Sequence, residues 1–178
     1  MAELLEVLQS QSEPLFALVD AGRDPEVLTL IMSHDAPARS LYEGESEARL
    51  GASGPYLVEL HEQPELLRAL LRDGWGNSWG LYCSSNATFD EVRKHFRTLL
   101  MVRREKDGSE LYFRFYDPRV LREFLPTCSA KQVGQMFGPV TSFFMESPDD
   151  EADDTVWRFT PQDGGVLREE LPGEALHA

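Results

Sequence analysis

The clearest catalytic pattern in the sequence is Gly76-Asn77-Ser78-Trp79-Gly80, which matches the G-x-S-x-G pattern of serine hydrolases. In those enzymes the serine lies on a sharp turn that follows a strand and precedes a helix, which exposes its hydroxyl group. Here the predicted order is reversed, because a helix ends at Gly74 and a strand follows. The reversed order of helix and strand therefore argues against a serine hydrolase. Ser78 remains only the nearest candidate for a nucleophile.

No second catalytic pattern accompanies Ser78. The four histidines form neither H-x-H nor H-E-x-x-H, and the i,i+4 spacing of Glu91 and His95 is typical of an ion pair on a helix surface. Cys83 and Cys128 form no C-x-x-C motif, and we expect both thiols to be buried. The sequence predicts no enzyme, no metal site and no cofactor.

The overall charge restricts the classes of partner. Acidic residues outnumber basic ones by 31 to 17, giving a net charge of −14. This balance argues against nucleic acid, whose phosphates are neutralised by clustered lysine and arginine, and against anionic membrane surfaces. The opening MAELLEVLQSQS lacks the basic stretch and apolar core of an export signal. We expect a cytoplasmic protein that binds other proteins.

Two segments depart from the average charge and could form the rims of a partner-binding surface. Residues 93–122 hold nine basic and four acidic residues, whereas residues 146–178 hold ten acidic and two basic residues. The candidate partner-binding residues are Arg93, Arg97, Arg103, Arg104, Arg114, Arg119, Arg122, Asp149, Asp150, Asp153 and Asp154.

Both segments also allow a purely structural interpretation. A bidentate ion pair between an arginine at 114 or 119 and Asp117 would connect a strand to the following helix. The acidic run could be a solvated loop or a frayed tail.

Hydrophobic periodicity and turn residues predict interleaved helices and strands. Strands are predicted at 15–22, 55–60, 78–85, 100–105, 110–117, 141–147 and 155–160, and helices at 2–10, 25–32, 64–73, 88–100, 118–124 and 130–137. Thr88 and Glu91 form a capping box, and Lys106-Asp107-Gly108-Ser109 is typical of a hairpin turn. The pattern predicts an α/β (α+β) fold: a single domain with a mixed β-sheet and a hairpin, flanked by helices.

The chain divides in composition near residue 146. We expect residues 1–146 to form the domain, and residues 147–178 to form an acidic loop, a candidate last strand and a C-terminal tail.

The stretch YFRFYDPRVL (112–121) resembles the signature of the DUF4123 family. Further segments occur in the order typical of that family: LFALVDAG (15–22), SLYEG (40–44), GPYLVEL (54–60), WGNSWGLYCSS (75–85), KHFRTLL (94–100) and FLPTCSAKQVGQMFGPV (124–140). The resemblance covers residues 15–146, and the shared order is more specific than any single segment.

The resemblance implies an adaptor, or chaperone, of the type VI secretion system. Such a protein is not catalytic; it binds a specific effector in the cytosol and helps to load it onto the VgrG spike. The resemblance transfers no individual binding residue, so the motifs serve as a signature of the fold. The alternatives are a cytosolic inhibitor of the immunity type for a basic toxin domain, and a hydrolase that uses Ser78. For the adaptor we expect an apolar groove beside the sheet with charged rims.

Overall fold

A computed structural model describes residues 2–104, 106–148 and 155–172 of the chain. The α-helices in this part are α1 (Ala2–Gln9), α2 (Pro25–Met32), α3 (Gly44–Leu50), α4 (Pro64–Gly74), α5 (Phe89–Leu99), α6 (Pro118–Phe124) and α7 (Ala130–Phe137). The strands are β1 (Leu15–Asp20), β2 (Ala38–Ser40), β3 (Pro55–Glu59), β4 (Gly80–Ser84), β5 (Met101–Arg103), β6 (Glu110–Tyr112), β7 (Ser142–Glu146), β8 (Thr155–Gln162) and β9 (Gly165–Pro172).

Within the described ranges, seven strands form one sheet in the order β2-β3-β1-β4-β7-β8-β9, while β5 and β6 form a separate hairpin. Every strand pair among the described residues is antiparallel. The predicted α+β single domain is confirmed, but the prediction of a mixed sheet is wrong.

The position of β1 explains why β3 and β4 do not form a parallel pair. Strands β3 and β4 are connected by the single helix α4, and both pair antiparallel with β1, so they run in the same direction. A strand–helix–strand unit predicts a parallel pair only if its two strands are neighbours. Because β1 lies between them, the parallel strands never share hydrogen bonds.

Helices cover both faces of the sheet and create two apolar cores. Phe16 and Leu18 of β1 pack with α5, α6 and α7 on one face, whereas Ala17 and Val19 pack with α1, α2 and α4 on the other. Side chains alternate between the faces of a strand, so a strand covered on both sides is apolar at consecutive positions. This explains why all six residues of β1 are buried.

Local capping confirms the predicted start of α5. Thr88 accepts a hydrogen bond from the Glu91 amide, and the Glu91 carboxylate accepts one from the Thr88 amide. These reciprocal bonds satisfy amide groups that have no partner within the first helical turn.

Strand β6 is shorter than predicted, and strands β2 and β9 and helix α3 were not predicted. Strand β6 ends at Tyr112, because the chain turns after Phe113 and the Asp117 amide donates to the Arg114 carbonyl. Strand β9 was not predicted, since its charged and exposed residues resemble a tail. It pairs along its whole length with β8, next to a two-residue turn in which Gly164 has φ +90°.

Candidate functional site

The hairpin β5–β6 exposes apolar side chains outside the main sheet. Among the large apolar residues of the described chain, Met101, Leu111 and Tyr112 are exposed by 50%, 39% and 42%. The turn is held by Asp107, whose carboxylate accepts hydrogen bonds from the amide and hydroxyl of Ser109. Exposed apolar residues gathered on one element are typical of an interaction surface.

A groove of about 860 Å³ lies on one side of the hairpin, and we call it the α7 groove. Its walls come from α5, the hairpin, the end of α6 and α7. Apolar side chains of the groove are Leu99, Val102, Phe113, Phe124 and Met136. Its polar and basic residues are His95, Thr98, Arg103, Ser129, Lys131, Gln132 and Gln135, and the lining residues that the structure describes include no carboxylate.

Helix geometry and a close glycine contact position the side chains of this groove. Ser129 and Gln132 form the capping box that starts α7. Nε2 of His95 donates a hydrogen bond to the Met136 carbonyl at 3.0 Å, because a carbonyl oxygen can only accept. The ring of His95 lies over Gly138, where an added Cβ would come within 2.3 Å of it.

A second groove, of about 500 Å³, lies on the other side of the hairpin and borders α3. Its lining includes Leu50, Met101 and Tyr112. The Tyr112 hydroxyl lies 2.7 Å from the Tyr42 hydroxyl and 3.2 Å from the Tyr116 hydroxyl. Burial, followed by these hydrogen bonds, raises the pKa of Tyr112 above its usual value. The hydroxyl contacts attach the hairpin to the domain.

The signature segment 112–121 also joins distant parts of the chain. Arg114 donates a 2.5 Å hydrogen bond to the Asp20 carboxylate, 94 residues away at the end of β1. Arg119 makes the bidentate ion pair with Asp117, at 2.9 and 2.7 Å. The interpretation that Arg114 pairs with Asp117 is therefore wrong, because Asp117 pairs with Arg119. The fold brings the buried Asp20 carboxylate to Arg114 instead.

Two further arginines of the basic segment hold the loop after β2 against α5. Arg93 donates to the Ser40 carbonyl at 2.8 Å and to the Glu43 carboxylate at 2.9 Å. Arg97 donates to the Leu41 carbonyl at 3.2 Å and lies 2.6 Å from the other Glu43 oxygen. These contacts bind two segments of the chain together, and they also neutralise part of the predicted basic surface.

The remaining arginines of the segment lie in different places. Arg104 pairs with Asp107 at the hairpin turn, and Arg122 donates to the Ser147 carbonyl at 3.2 Å. Arg103 is exposed at the edge of the α7 groove. The predicted acidic residues Asp149, Asp150, Asp153 and Asp154 lie outside the described residues.

Arg103 is a predicted binding residue that lines the α7 groove, whereas most other residues of this groove were not predicted. His95, Phe113 and Lys131 come from three separate segments, and none belongs to a catalytic or metal-binding pattern. The amphipathic character of α5 and α7 indicates a buried face, but it does not indicate which elements meet at its edge.

Ser78 has an unusual backbone conformation and a buried partner. Its φ is +53°, its exposed fraction is 8%, and its hydroxyl donates to the buried Glu146 carboxylate at 2.8 Å. The other Glu146 oxygen accepts from the Gly76 amide at 2.7 Å. Helix α4 ends before this turn and β4 begins after it, opposite to the order of a nucleophile elbow. The contacts attach the turn to β7.

The described residues contain no group of three or more histidine, cysteine, aspartate and glutamate residues that could hold a metal ion. Within the same residues, no helix has the length and apolarity needed to cross a membrane. Burial raises the pKa of both cysteine thiols above the usual value.

Comparison with known proteins adds one finding. The model of a family described as Domain of unknown function (DUF4123) matches residues 15–135, more than half of the chain. No curated protein and no solved structure matches the chain significantly. The match begins at β1 and ends within α7, so it includes the hairpin and nearly all of the α7 groove.

Proposed function

The chain belongs to the DUF4123 family, a family associated with type VI secretion effector adaptors, and from this premise we propose that it is such an adaptor. In this proposal the protein binds one specific effector in the cytoplasm and helps to load it onto the VgrG spike. It acts by binding alone and carries out no catalysis.

The family match is the observation that carries the proposal. The geometry supports it, because open grooves with apolar walls flank a hairpin that exposes apolar side chains. A carrier must hold its cargo through a surface and later release it, which suits a non-covalent interface with an apolar centre and a polar rim.

The first test is recovery of the partner. Tagged full-length protein would be used to capture proteins from a lysate of the host cell, followed by mass spectrometry. We expect one large effector together with VgrG. A toxin domain without any spike component would favour the inhibitor alternative, and an empty bait at low salt, where charged contacts are strongest, would contradict both.

The second test is secretion. Deleting the gene for this protein should stop secretion of the captured effector and leave other effectors of the same system unaffected. A loss of all secretion would indicate a part of the apparatus instead of an adaptor. Normal secretion of the captured effector would contradict the proposal.

A separate test addresses the absence of catalysis. Because Ser78 is buried and its hydroxyl donates a hydrogen bond to Glu146, we expect no labelling by a fluorophosphonate probe. The control is Ser78→Ala. Labelling of the wild type that disappears in this variant would support the hydrolase alternative.

A further inference from the structure

We propose that the α7 groove binds an acidic amphipathic helix of the partner protein. This inference rests on the proposed adaptor function and adds the chemistry of the segment that is recognised. The apolar side of that helix would lie on Leu99, Val102, Phe113, Phe124 and Met136, with its carboxylates beside Arg103 and Lys131.

The apolar part of the groove is already accessible. Val102, Phe113 and Phe124 are partly exposed, and Leu99 and Met136 connect them to the core with exposed fractions of 8% and 5%. The rings of Phe113 and Phe124 meet edge to face, with their centroids 4.9 Å apart. Covering these side chains removes apolar surface from water without repacking the core.

Charge complementarity selects an acidic segment. Arg103 and Lys131 are exposed, and neither makes an ion pair within the described ranges. Five other arginines of segment 93–122 are paired with carboxylates: Arg93, Arg97, Arg104, Arg114 and Arg119. In a protein of net charge −14, the groove lining thus carries two basic side chains that are available to the carboxylates of a partner.

The secondary structure of the walls favours a helix as the bound form. Strands β5 and β6 have three residues each, so the hairpin offers few backbone groups for pairing with an added strand. A helix satisfies its backbone hydrogen bonds internally and binds a groove through its apolar face. The side chains of α5 and α7 form the walls against which such a face can pack.

The test uses two synthetic probes with full-length protein. One is a fluorescent helical peptide of about five turns with leucine on one face and glutamate beside it, and the other has lysine in place of glutamate. Binding is measured by fluorescence anisotropy. We expect the acidic peptide to bind more tightly than the basic one, and we expect its affinity to fall as salt is added.

Matched charge-reversal variants locate the binding surface. The double variant Arg103→Glu, Lys131→Glu should bind the acidic peptide roughly tenfold more weakly or worse, because two attractive charges at the rim of the groove become repulsive. The control is Arg23→Glu combined with Arg68→Glu, which changes the net charge equally at exposed residues outside the groove lining. Thermal unfolding confirms that both variants fold.

Several results would overturn the inference. These are equal binding of the two peptides, or equal effects of the two double variants. A third is tighter binding of the acidic peptide to a variant in which Asp149, Asp150, Asp153 and Asp154 are changed to asparagine. That result would assign the groove to the chain's own acidic segment. Failure of the adaptor function is distinguished from failure of the groove proposal by the lysate capture, which does not use these peptides.

Discussion

Arg114 and Asp20 hold the signature segment against the end of β1. The Asp20 side chain is 3% exposed and also accepts a hydrogen bond from the Gly22 amide at 3.0 Å, whereas the Arg114 side chain is 47% exposed. A buried carboxylate is costly without its cation, but the solvent around Arg114 weakens the ion pair. The pair therefore contributes to folding by joining two segments that are distant in the sequence.

We expect Arg114→Ala to lower the free energy of unfolding by about 1–3 kcal/mol, less than for a fully buried pair. Denaturant unfolding measures the change, with Arg114→Lys as a control that keeps the charge and should lose less. Partner binding should persist in folded Arg114→Ala. If this variant melts like the wild type and loses the partner, Arg114 belongs to the interface.

Ser78 combines a left-handed backbone conformation with a hydrogen bond to Glu146. We expect Ser78→Ala to cost about 1–2 kcal/mol, because the buried carboxylate loses a donor while the backbone stays strained. Ser78→Gly loses the same donor but relaxes the backbone at φ +53°, so it should be the more stable variant. Thermal unfolding of both variants tests this, and the opposite order of stability would show that backbone strain is unimportant at this turn.

At the scale of elements, α6 depends on a charged N-cap. The Asp117 carboxylate accepts hydrogen bonds from the Arg119 amide and guanidinium group. Burial raises the pKa of Asp117, but the hydrogen bonds and charge of Arg119 outweigh this effect and leave the pKa below its usual value. The ionised carboxylate therefore stabilises the folded protein above the pKa of the unfolded chain, about 3.9.

That stabilisation should be lost as the pH falls through the lowered pKa of the folded protein. We expect Asp117→Asn, which can still cap the helix, to be less stable at neutral pH and to lose less stability on acidification below about pH 4. Melting temperatures measured across this pH range test the prediction. Arg119→Ala should likewise make the melting temperature depend less on pH. Parallel curves for the wild type and Asp117→Asn would contradict it.

At the scale of the whole molecule, strands β8 and β9 complete the sheet beyond the family match. Val156, Trp157 and Phe159 of β8 are at most 5% exposed and pack in the two cores. Arg168 of β9 lies over the Trp157 ring, 4.0 Å from its centroid. The segment after residue 146 therefore contributes apolar side chains to the core, although it is strongly acidic in composition.

We expect a chain that ends at residue 146 to lose cooperative unfolding. Each large buried side chain contributes roughly 1.5–3 kcal/mol, against a total stability of about 5–15 kcal/mol, and β7 would become an exposed edge. Circular dichroism during heating tests this, with a chain ending at residue 172 as the control that keeps every described strand. Cooperative melting of the shorter chain near the wild-type temperature would show that residues 1–146 fold independently.

Much of the local structure was predictable because its causes lie close together in the sequence. The capping box of Thr88 and Glu91 acts between residues three apart, and the hairpin turn at 106–109 has its own side-chain hydrogen bonds. The ordered family segments likewise identified DUF4123, which the family match confirms. The adaptor role and the specific partner stay predictions.

The sequence by itself determined six of the seven helices of the described residues, most strands, the hairpin and the family, whereas helix α3 was not predicted. Only the tertiary structure decided that β1 lies between β3 and β4, that Asp20 pairs with Arg114, and which arginines are neutralised. It also brought α5, the hairpin, α6 and α7 together around one groove. The reason is physical: caps and turns depend on neighbouring residues, whereas ion-pair partners and groove walls depend on strand order and on which helix faces meet.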